Sequence, residues 1–357
     1  MDNLAKIHTI YQQSPWLDNL SRDLTETDQL QTYISQGIRG LTSNPTIMEK
    51  AIIGSDRYSD DIAQLVAKNL DSESIYWELV KKDIRDAAKL FLPLWQESNG
   101  QDGYVSLEVS PTLARDAEAT LRQARELWND LQLPNLMIKV PATSECIPVI
   151  HTLLSEGVNV NITLIFSLDH YEEVAAAHKA SHRLGMINNS RSVASFFVSR
   201  IDSEVDARLE AIATDQAQQL KGKTAVAQAR LAYQIFLDQF ADLAVLSPES
   251  TGIQRLLWAS TSTKDESYNP LLYVESLLAP YTVNTLPEAT VQAISDTLSE
   301  DSRTLTLEDI DDASRTMNKL ADVGIDMKDV VATLEKEAVQ KFQESFSHLL
   351  ATIDQQR

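Results

Sequence analysis

A lysine stands in the middle of an apolar run, residues 136–143, whose sequence is LMIKVPAT. Taking an ammonium group out of water is costly unless the group is paired or loses its proton. Because burial lowers the pKa of a lysine amine, Lys139 could act as a neutral nucleophile that attacks a ketone or aldehyde and forms a Schiff base. The structural alternative is a lysine on an edge strand whose charged end reaches water, and the run alone favours that alternative.

Two carboxylates follow other short apolar segments. Asp18 ends the segment 15–18, and Glu108 lies near the carboxyl end of the segment 104–111. In a parallel barrel the carboxyl ends of the strands carry the active site, whereas the opposite rim mainly serves stability. From its position alone, however, Asp18 fits a helix cap better than a catalytic acid.

Polar residues in two further segments are candidates for the same site. The segment 42–47, TSNPTI, is a polar turn between a strand and a helix, and such turns also occur for purely structural reasons. The segment 158–165 alternates polar and apolar residues. The alternation predicts that Asn161 and Thr163 point into a polar interior, while the apolar residues between them face the covering helices.

Two cations follow predicted strands. Arg200 comes after the strand 192–199, which also contains Ser195 and Phe197. It could form a surface ion pair with Asp202 or bind a phosphate through two of the three nitrogens of its guanidinium group. Lys264 ends a hydroxyl-rich strand that starts at residue 255.

Histidine and cysteine supply no convincing metal or redox site. His178 and His182 have the spacing of a helical metal pair, but no further ligand motif accompanies them, so we expect a surface pair. The single cysteine, Cys146, excludes an internal disulfide and fits a reducing cytosol. It lies on a predicted helix, and we interpret it as a small core residue.

The elements that must position these residues alternate between strand and helix. Eight short strands separated by helical segments favour one (β/α)8 barrel over a doubly wound sheet. Neither a dinucleotide-binding G-x-G-x-x-G motif nor a phosphate-binding G-x-x-x-x-G-K-[ST] motif is present. The predicted strands cover residues 15–18, 38–41, 104–111, 136–143, 158–165, 192–199, 255–264 and 281–284.

The chain is predicted to be helical from Leu307 onwards. Apolar residues recur there at four-residue intervals, which is typical of a helix with one buried face: Leu334, Ala338, Phe342, Phe346 and Leu350. We expect this face to pack onto the barrel; a partner-binding helix is the alternative. The predicted organisation is a single barrel domain over 1–357, with residues 302–357 as a C-terminal helical extension that packs on it.

Composition and charge narrow the classes of partner. The 357 residues are 43% hydrophobic, enough for a large core, and 31 basic against 52 acidic residues give a net charge of −21. Binding to nucleic acid or to an anionic membrane is therefore disfavoured, and an anionic substrate needs a local cationic pocket. No segment approaches the roughly 18 apolar residues of a membrane span. The first ten residues have no signal-peptide core, so we expect a soluble, cytoplasmic protein.

An ordered set of motifs resembles the signature strands of the transaldolases. The motifs are 40–46 (GLTSNPT), 105–109 (VSLEV), 137–143 (MIKVPAT), 157–164 (GVNVNITL), 195–200 (SFFVSR) and 283–287 (VNTLP). The resemblance implies a (β/α)8 enzyme of the non-oxidative pentose phosphate pathway. Such enzymes move a dihydroxyacetone unit between sugar phosphates without a metal or organic cofactor.

The resemblance also implies roles for individual residues. Lys139 matches the Schiff-base lysine, Glu108 matches the acid/base that works through a water molecule, and Asp18 matches the carboxylate that takes the proton of the C4 hydroxyl. Lys264 stands where some transaldolases have a second phosphate-binding arginine. The matched substrate-binding positions are Thr42, Asn44, Asn161, Thr163, Ser195, Phe197 and the phosphate-binding Arg200. The chain length resembles the longer bacterial-type branch, in which the final helix could cover the site entrance.

Two other functions stay open at this point. A related fructose 6-phosphate aldolase would release free dihydroxyacetone, but members of that group are shorter and typically lack the glutamate at the position of Glu108. A non-catalytic, acidic interaction protein could use the same scaffold. Lys139, Glu108 and Asp18 together argue against that possibility. A homo-oligomer is possible, and the sequence does not determine it.

Overall fold

The computed structural model describes residues 2–183, 189–246 and 252–356. Eight parallel strands form a closed barrel in which each strand pairs with the next one along the chain and the last pairs with the first. The predicted fold class is therefore confirmed. The strands are β1 (Ser14–Leu17), β2 (Gly40–Thr42), β3 (Tyr104–Glu108), β4 (Leu136–Pro141), β5 (Val160–Ile165), β6 (Ser192–Phe197), β7 (Gln254–Ala259) and β8 (Val283–Leu286).

Helices connect the strands and extend the chain beyond the barrel. In the described part of the chain, no helix is both long and apolar enough to cross a membrane. The helices are α1 (Asn3–Thr9), α2 (Arg22–Thr25), α3 (Gln29–Gln36), α4 (Pro45–Gly54), α5 (Ser59–Ala67), α6 (Ser72–Glu97), α7 (Ala117–Leu131), α8 (Ile147–Ser155), α9 (Leu168–Arg183), α10 (Ser199–Ile212), α11 (Asp215–Gln218), α12 (Thr224–Leu246), α13 (Leu272–Glu275), α14 (Glu288–Thr297), α15 (Leu307–Asp322) and α16 (Met327–Asp354). Two 3₁₀ turns occupy Asp56–Tyr58 and Pro111–Leu113.

Barrel closure explains the apolar character of the strands. A parallel strand is covered on both faces, so its sequence is almost continuously hydrophobic. Every residue of β4 is accordingly buried. Lys139 is only 5% exposed and has strand neighbours on both sides, pairing with Glu108 of β3 and Asn161 of β5. The edge-strand interpretation of Lys139 is therefore wrong, because a closed barrel has no edge.

The bounds of all eight strands differ from those predicted, and two of the strands are shifted later along the chain by one to two residues at each end. The strand predicted at 38–41 covers Gly40–Thr42, and the strand predicted at 281–284 covers Val283–Leu286. Gly40 pairs with Tyr104, and Val283 pairs with residues of both β1 and β7. The pattern of apolar residues indicates which residues are buried. A strand begins only where the adjacent strand offers hydrogen-bond partners, and the sequence does not reveal where that is.

The last helix lies against the barrel helices near the carboxyl end of β2. Helix α16 contacts α4, α6 and α10, and the Thr46 hydroxyl lies 2.9 Å from the Ser345 hydroxyl. The predicted apolar face of α16 is buried, apart from the half-buried Leu350. Because the chain itself covers this face, the structure gives no support to a partner-binding helix.

The histidines do not form a surface pair, contrary to expectation, because His178 lies in the core and His182 is half-buried. His178 is fully buried, with its ring 5.8 Å from that of Phe240 and 4.3 Å from that of His182. Burial and the neighbouring His182 lower the pKa of His178 to about 3, so its imidazole is neutral. Among the residues that the structure describes, no group of three or more His, Cys, Asp and Glu side chains could hold a metal ion.

Cys146 is a buried residue, as predicted. It lies directly before α8, and its sulfur is 3.6 Å from the carbonyl oxygen of Ala114. Burial raises the pKa of its thiol, which keeps the group protonated and unreactive.

Candidate active site

Lys139 and Glu108 form a buried ion pair inside the carboxyl end of the barrel. Their positions on neighbouring strands are in register, and the Lys139 Nζ lies 3.1 Å from the Glu108 Oε2. The Lys139 amine also donates a hydrogen bond of 3.1 Å to the carbonyl oxygen of Ser43. The amine is therefore held in one orientation, next to a group that can accept or return a proton.

The environment of Glu108 suits acid/base chemistry. Burial raises the pKa of the Glu108 carboxyl, and the positive charges of Lys139 and Arg200 oppose that shift only in part. A raised carboxyl pKa brings the group closer to neutral pH, where it can both donate and accept protons.

Asp18 lies one residue past β1, on the same rim of the barrel. Its backbone N–H donates to the carbonyl oxygen of Leu286, and its side chain lines the cavity above Lys139. Burial raises the pKa of the Asp18 carboxyl, while Lys139, Lys264 and Arg200 oppose the shift. The helix-cap interpretation is wrong, because Ser21 caps α2 by accepting a hydrogen bond from the backbone N–H of Leu24.

The cavity at this rim has a volume of about 70 Å3. Small-molecule sites usually measure about 300 Å3 or more, so this cavity is smaller than a typical ligand site. One wall is Phe342 of α16, which brings the final helix into the site. The predicted residues in the walls are Asp18, Thr42, Asn44, Lys139, Thr163, Ser195, Phe197 and Arg200.

Sequence reasoning missed five of the wall residues. These are Leu257, Ala259, Ser260, Thr285 and Phe342. Two of them carried a usable signal, because Ser260 lies in the hydroxyl-rich segment directly after β7 and Thr285 lies in the VNTLP motif. Phe342 stood out only as one member of an apolar helix face, and such a pattern does not distinguish core packing from an active-site wall.

Asn161 lies behind the wall and connects three strands. Its amide nitrogen donates to the Ser106 hydroxyl at 3.0 Å, and its amide oxygen accepts from the Ser195 hydroxyl at 2.7 Å. The Asn161 amide is therefore fixed in orientation by β3 and β6. On the same face of β5, the fully buried Thr163 hydroxyl borders the cavity and has no partner among the described residues.

The turn after β2 supplies two more polar groups. The Asn44 side-chain oxygen accepts from the backbone N–H of Ile47 and so caps α4. Its amide nitrogen has no partner within the described ranges and is available at the cavity wall. Thr42 is buried beside it, two residues before Asn44 along the chain. The oxygen of Asn44 thus serves the helix, while the rest of its amide group borders the cavity.

Arg200 lies between two aromatic rings. Its guanidinium carbon is 5.1 Å from the ring centre of Phe197 and 5.8 Å from that of Phe342. Asp202 does not pair with it, because the Asp202 carboxylate accepts from the Ala225 backbone N–H and the Tyr273 hydroxyl. The surface ion-pair interpretation of Arg200 is therefore wrong, and its nitrogens face the cavity without a carboxylate partner in the part of the chain that is described.

Lys264 does not line this cavity. Its side chain is exposed, donates to the Ser262 hydroxyl at 2.8 Å, and borders a neighbouring outer pocket. Desolvation and the positive charges of Arg200 and Lys341 lower the pKa of the Lys264 amine, which indicates that these cations are close together. Lys264 thus adds positive potential at the rim rather than a direct wall contact.

Comparison with known proteins assigns this architecture to a family. Residues 15–353 match the family model described as transaldolase/fructose-6-phosphate aldolase. The chain is 44% identical over 349 residues to a transaldolase of Frankia alni, covering 96% of this chain and 94% of the relative. It is 42% identical to a transaldolase of Mycobacterium tuberculosis strain H37Rv, covering 94% and 92%, and 42% identical to one of Thiobacillus denitrificans, covering 98% and 99%. The chain belongs to the transaldolase/fructose-6-phosphate aldolase family.

Proposed function

We propose that this protein is a transaldolase that transfers a dihydroxyacetone unit from sedoheptulose 7-phosphate to glyceraldehyde 3-phosphate. The products are erythrose 4-phosphate and fructose 6-phosphate, and the reaction is reversible. The observation that carries the proposal is the buried Lys139 amine, 3.1 Å from Glu108, in a cavity that Asp18 also lines. The single cysteine and the sugar-phosphate substrates suit a cytoplasmic place in the pentose phosphate pathway.

The first step joins the ketose to the enzyme. The Lys139 amine attacks the C2 carbonyl carbon, and the carbonyl oxygen takes a proton and becomes a hydroxyl. Glu108, acting through a water molecule, first takes a proton from the Lys139 ammonium and gives it to this oxygen. It then takes a second proton from the nitrogen now bonded to C2 and gives it to the hydroxyl, which leaves as water. A protonated imine between Lys139 and C2 remains.

The second step breaks the carbon–carbon bond. Asp18 takes the proton of the C4 hydroxyl, the C3–C4 bond breaks, and its electron pair moves into the imine to form an enamine. The C4 aldehyde leaves as the shorter aldose phosphate. The enamine then attacks the aldehyde carbon of the acceptor, and the steps run in reverse.

The polar walls would hold the substrate during both steps. The Thr163 hydroxyl and the Asn44 amide nitrogen, which have no partner among the described residues, can bind sugar hydroxyls or the water that serves Glu108. Ser195, Thr42 and Asn161 shape the cavity below them, and Phe197 bounds it near Arg200. Fixed donors and acceptors of this kind lower the entropic cost of reaching the reactive geometry.

Borohydride trapping tests the proposed function directly. Incubation with fructose 6-phosphate and borohydride should leave a reduced three-carbon adduct on Lys139, identified by peptide mass mapping. Added erythrose 4-phosphate should then discharge the unreduced enamine as sedoheptulose 7-phosphate. Release of free dihydroxyacetone as fast as the donor is cleaved would instead identify an aldolase. The absence of an adduct on any lysine would favour the non-catalytic interaction protein.

Arg200→Ala should weaken the binding of sugar phosphates. Loss of a charge-assisted contact to a phosphate should raise the KM for fructose 6-phosphate about 10- to 100-fold. Dihydroxyacetone as an unphosphorylated ligand should bind almost as before. Steady-state kinetics and competition by dihydroxyacetone check both statements, and equal losses for the two ligands would argue against a phosphate contact.

When kcat is measured as a function of pH, the midpoint of its decrease at low pH should lie above the ordinary pKa of an aspartate. Only the ionised Asp18 can take the C4 proton, and burial raises its pKa from the usual 3.8. Activity should therefore disappear as the pH falls through this raised pKa, while circular dichroism still reports a folded barrel. A midpoint at or below pH 3.8 would show that Asp18 is not the base.

A further inference from the structure

A second cavity of about 290 Å3 lies at the opposite end of the barrel, and we call it the lower cavity. Its walls include Ser14, Tyr104 and Ser192 at the beginnings of their strands, and His8 of α1. Met137 also borders it, two residues before Lys139 on the same strand. The lower cavity is therefore separate from the catalytic cavity.

One side of the lower cavity is a saturated ion network. The buried Asp102 carboxylate pairs with Arg39 at 2.6 Å and with Arg255 at 3.1 Å. Burial alone would raise its pKa, but Arg255 and Arg39 lower the pKa of Asp102 to about 2. Both terminal nitrogens of Arg255 already donate to Asp102, the Ser14 hydroxyl and backbone carbonyls. Asp102 and Arg255 therefore need no ligand to satisfy them.

The other side of the lower cavity carries unused donors. Arg191 is half-buried, lines the cavity, and has no side-chain partner among the residues described. The buried Ser192 hydroxyl oxygen accepts from Gln254, so its own hydrogen is free to donate. The fully buried Trp16 indole N–H also has no partner within the described part of the chain, nor has the His8 Nδ1, which donates or accepts according to its tautomer. Buried donors of this kind normally have an acceptor.

The charge around the lower cavity is positive. Two arginines, Arg191 and Arg255, and one carboxylate, Asp102, line the cavity, and Arg39 also pairs with Asp102, although the whole protein carries a net charge of −21. A local positive site in an acidic protein attracts an anion. The free guanidinium fork of Arg191 matches the oxygens of a phosphate.

The remaining walls limit the shape of the ligand. Trp16, Met137, Val193 and Ile253 give the lower cavity an apolar surface beside its donors. Its volume is at the small end of the range for ligand sites. We propose that the lower cavity binds a small organic phosphate, with the phosphate on Arg191 and Ser192 and an apolar or planar portion against Trp16 and Met137.

Calorimetric titration with phenyl phosphate tests this site in the full-length protein. The probe has a phosphate and a flat apolar ring, and it has no carbonyl group that could react with Lys139. Arg191→Gln should weaken binding at the lower cavity at least about tenfold, since it removes charge-assisted hydrogen bonds. Arg122→Gln on the exposed surface of α7 removes the same charge and should leave affinity unchanged.

A crystal structure with phenyl phosphate gives a second, independent result. Electron density for phenyl phosphate within hydrogen-bonding distance of Arg191 would support the proposal even if the Arg191→Gln variant were poorly folded. The proposal would be overturned if the parent protein and the Arg191→Gln and Arg122→Gln variants bound phenyl phosphate with equal affinity. Electron density for phenyl phosphate only beside Arg200 would also overturn it. Arg191→Gln should keep the transaldolase kcat within about twofold, because Arg191 has no contact with the catalytic cavity.

Discussion

Lys139→Arg should abolish turnover and leave the barrel folded. Arginine keeps the positive charge that pairs with Glu108, so no buried carboxylate loses its partner. A guanidinium group stays protonated and cannot form the imine, so kcat should fall on the order of 10⁴-fold or more. A coupled assay of aldose release should show the loss of activity, and borohydride trapping should show the loss of the adduct.

A matched control separates this effect from a general loss of structure. Lys68→Arg makes the same chemical change at an exposed position after α5, and it should retain full activity and a normal adduct on Lys139. The two variants and the parent should unfold at similar temperatures. Substantial turnover by Lys139→Arg would rule out the Schiff-base mechanism.

Glu108→Gln should slow imine formation strongly. Glutamine has nearly the same shape as glutamate but cannot carry a proton between the water molecule and the reacting oxygen, and loss of such catalysis typically costs about 10²- to 10⁴-fold. The replacement also leaves the buried Lys139 ammonium without its counter-ion. Rapid-quench trapping with borohydride should therefore show a slower approach to the same Lys139 adduct.

The control for this second prediction is Glu126→Gln on the exposed face of α7. It removes one negative charge from the same acidic protein, so any effect of net charge on substrate attraction appears in both variants. An unchanged rate of adduct formation in Glu108→Gln would remove Glu108 from the acid/base role. Imine formation would then need another proton carrier, and Asp18 is the carboxylate in the cavity walls.

The order of polar strand ends made the catalytic set predictable. Parallel strands of a barrel deliver their carboxyl ends to one rim, so Asp18, Glu108 and Lys139 were expected together before any distance was known. The ordered motifs made the family recognisable as well. The family and the barrel fold are confirmed, and the roles of the individual residues stay predictions.

Local patterns failed where a residue's environment comes from distant parts of the chain. Asp18 resembled a helix cap, Lys139 an edge-strand lysine, and His178 a surface residue, because each pattern has a common local explanation. In the fold, barrel closure buries Lys139, and α12 supplies the Phe240 ring that lies beside His178. Arg200 likewise gains Phe342 from a helix that lies far along the chain.

The sequence by itself determined the strand and helix alternation, the rim on which the reactive groups lie, and the family. Only the tertiary structure decided the 3.1 Å Lys139–Glu108 pair, the Phe342 wall and the place of Arg191 in the lower cavity. The physical reason is that periodicity reports which faces of a segment are buried. Distances, hydrogen-bond partners and cavities arise from strand register and from the packing of segments far apart in sequence.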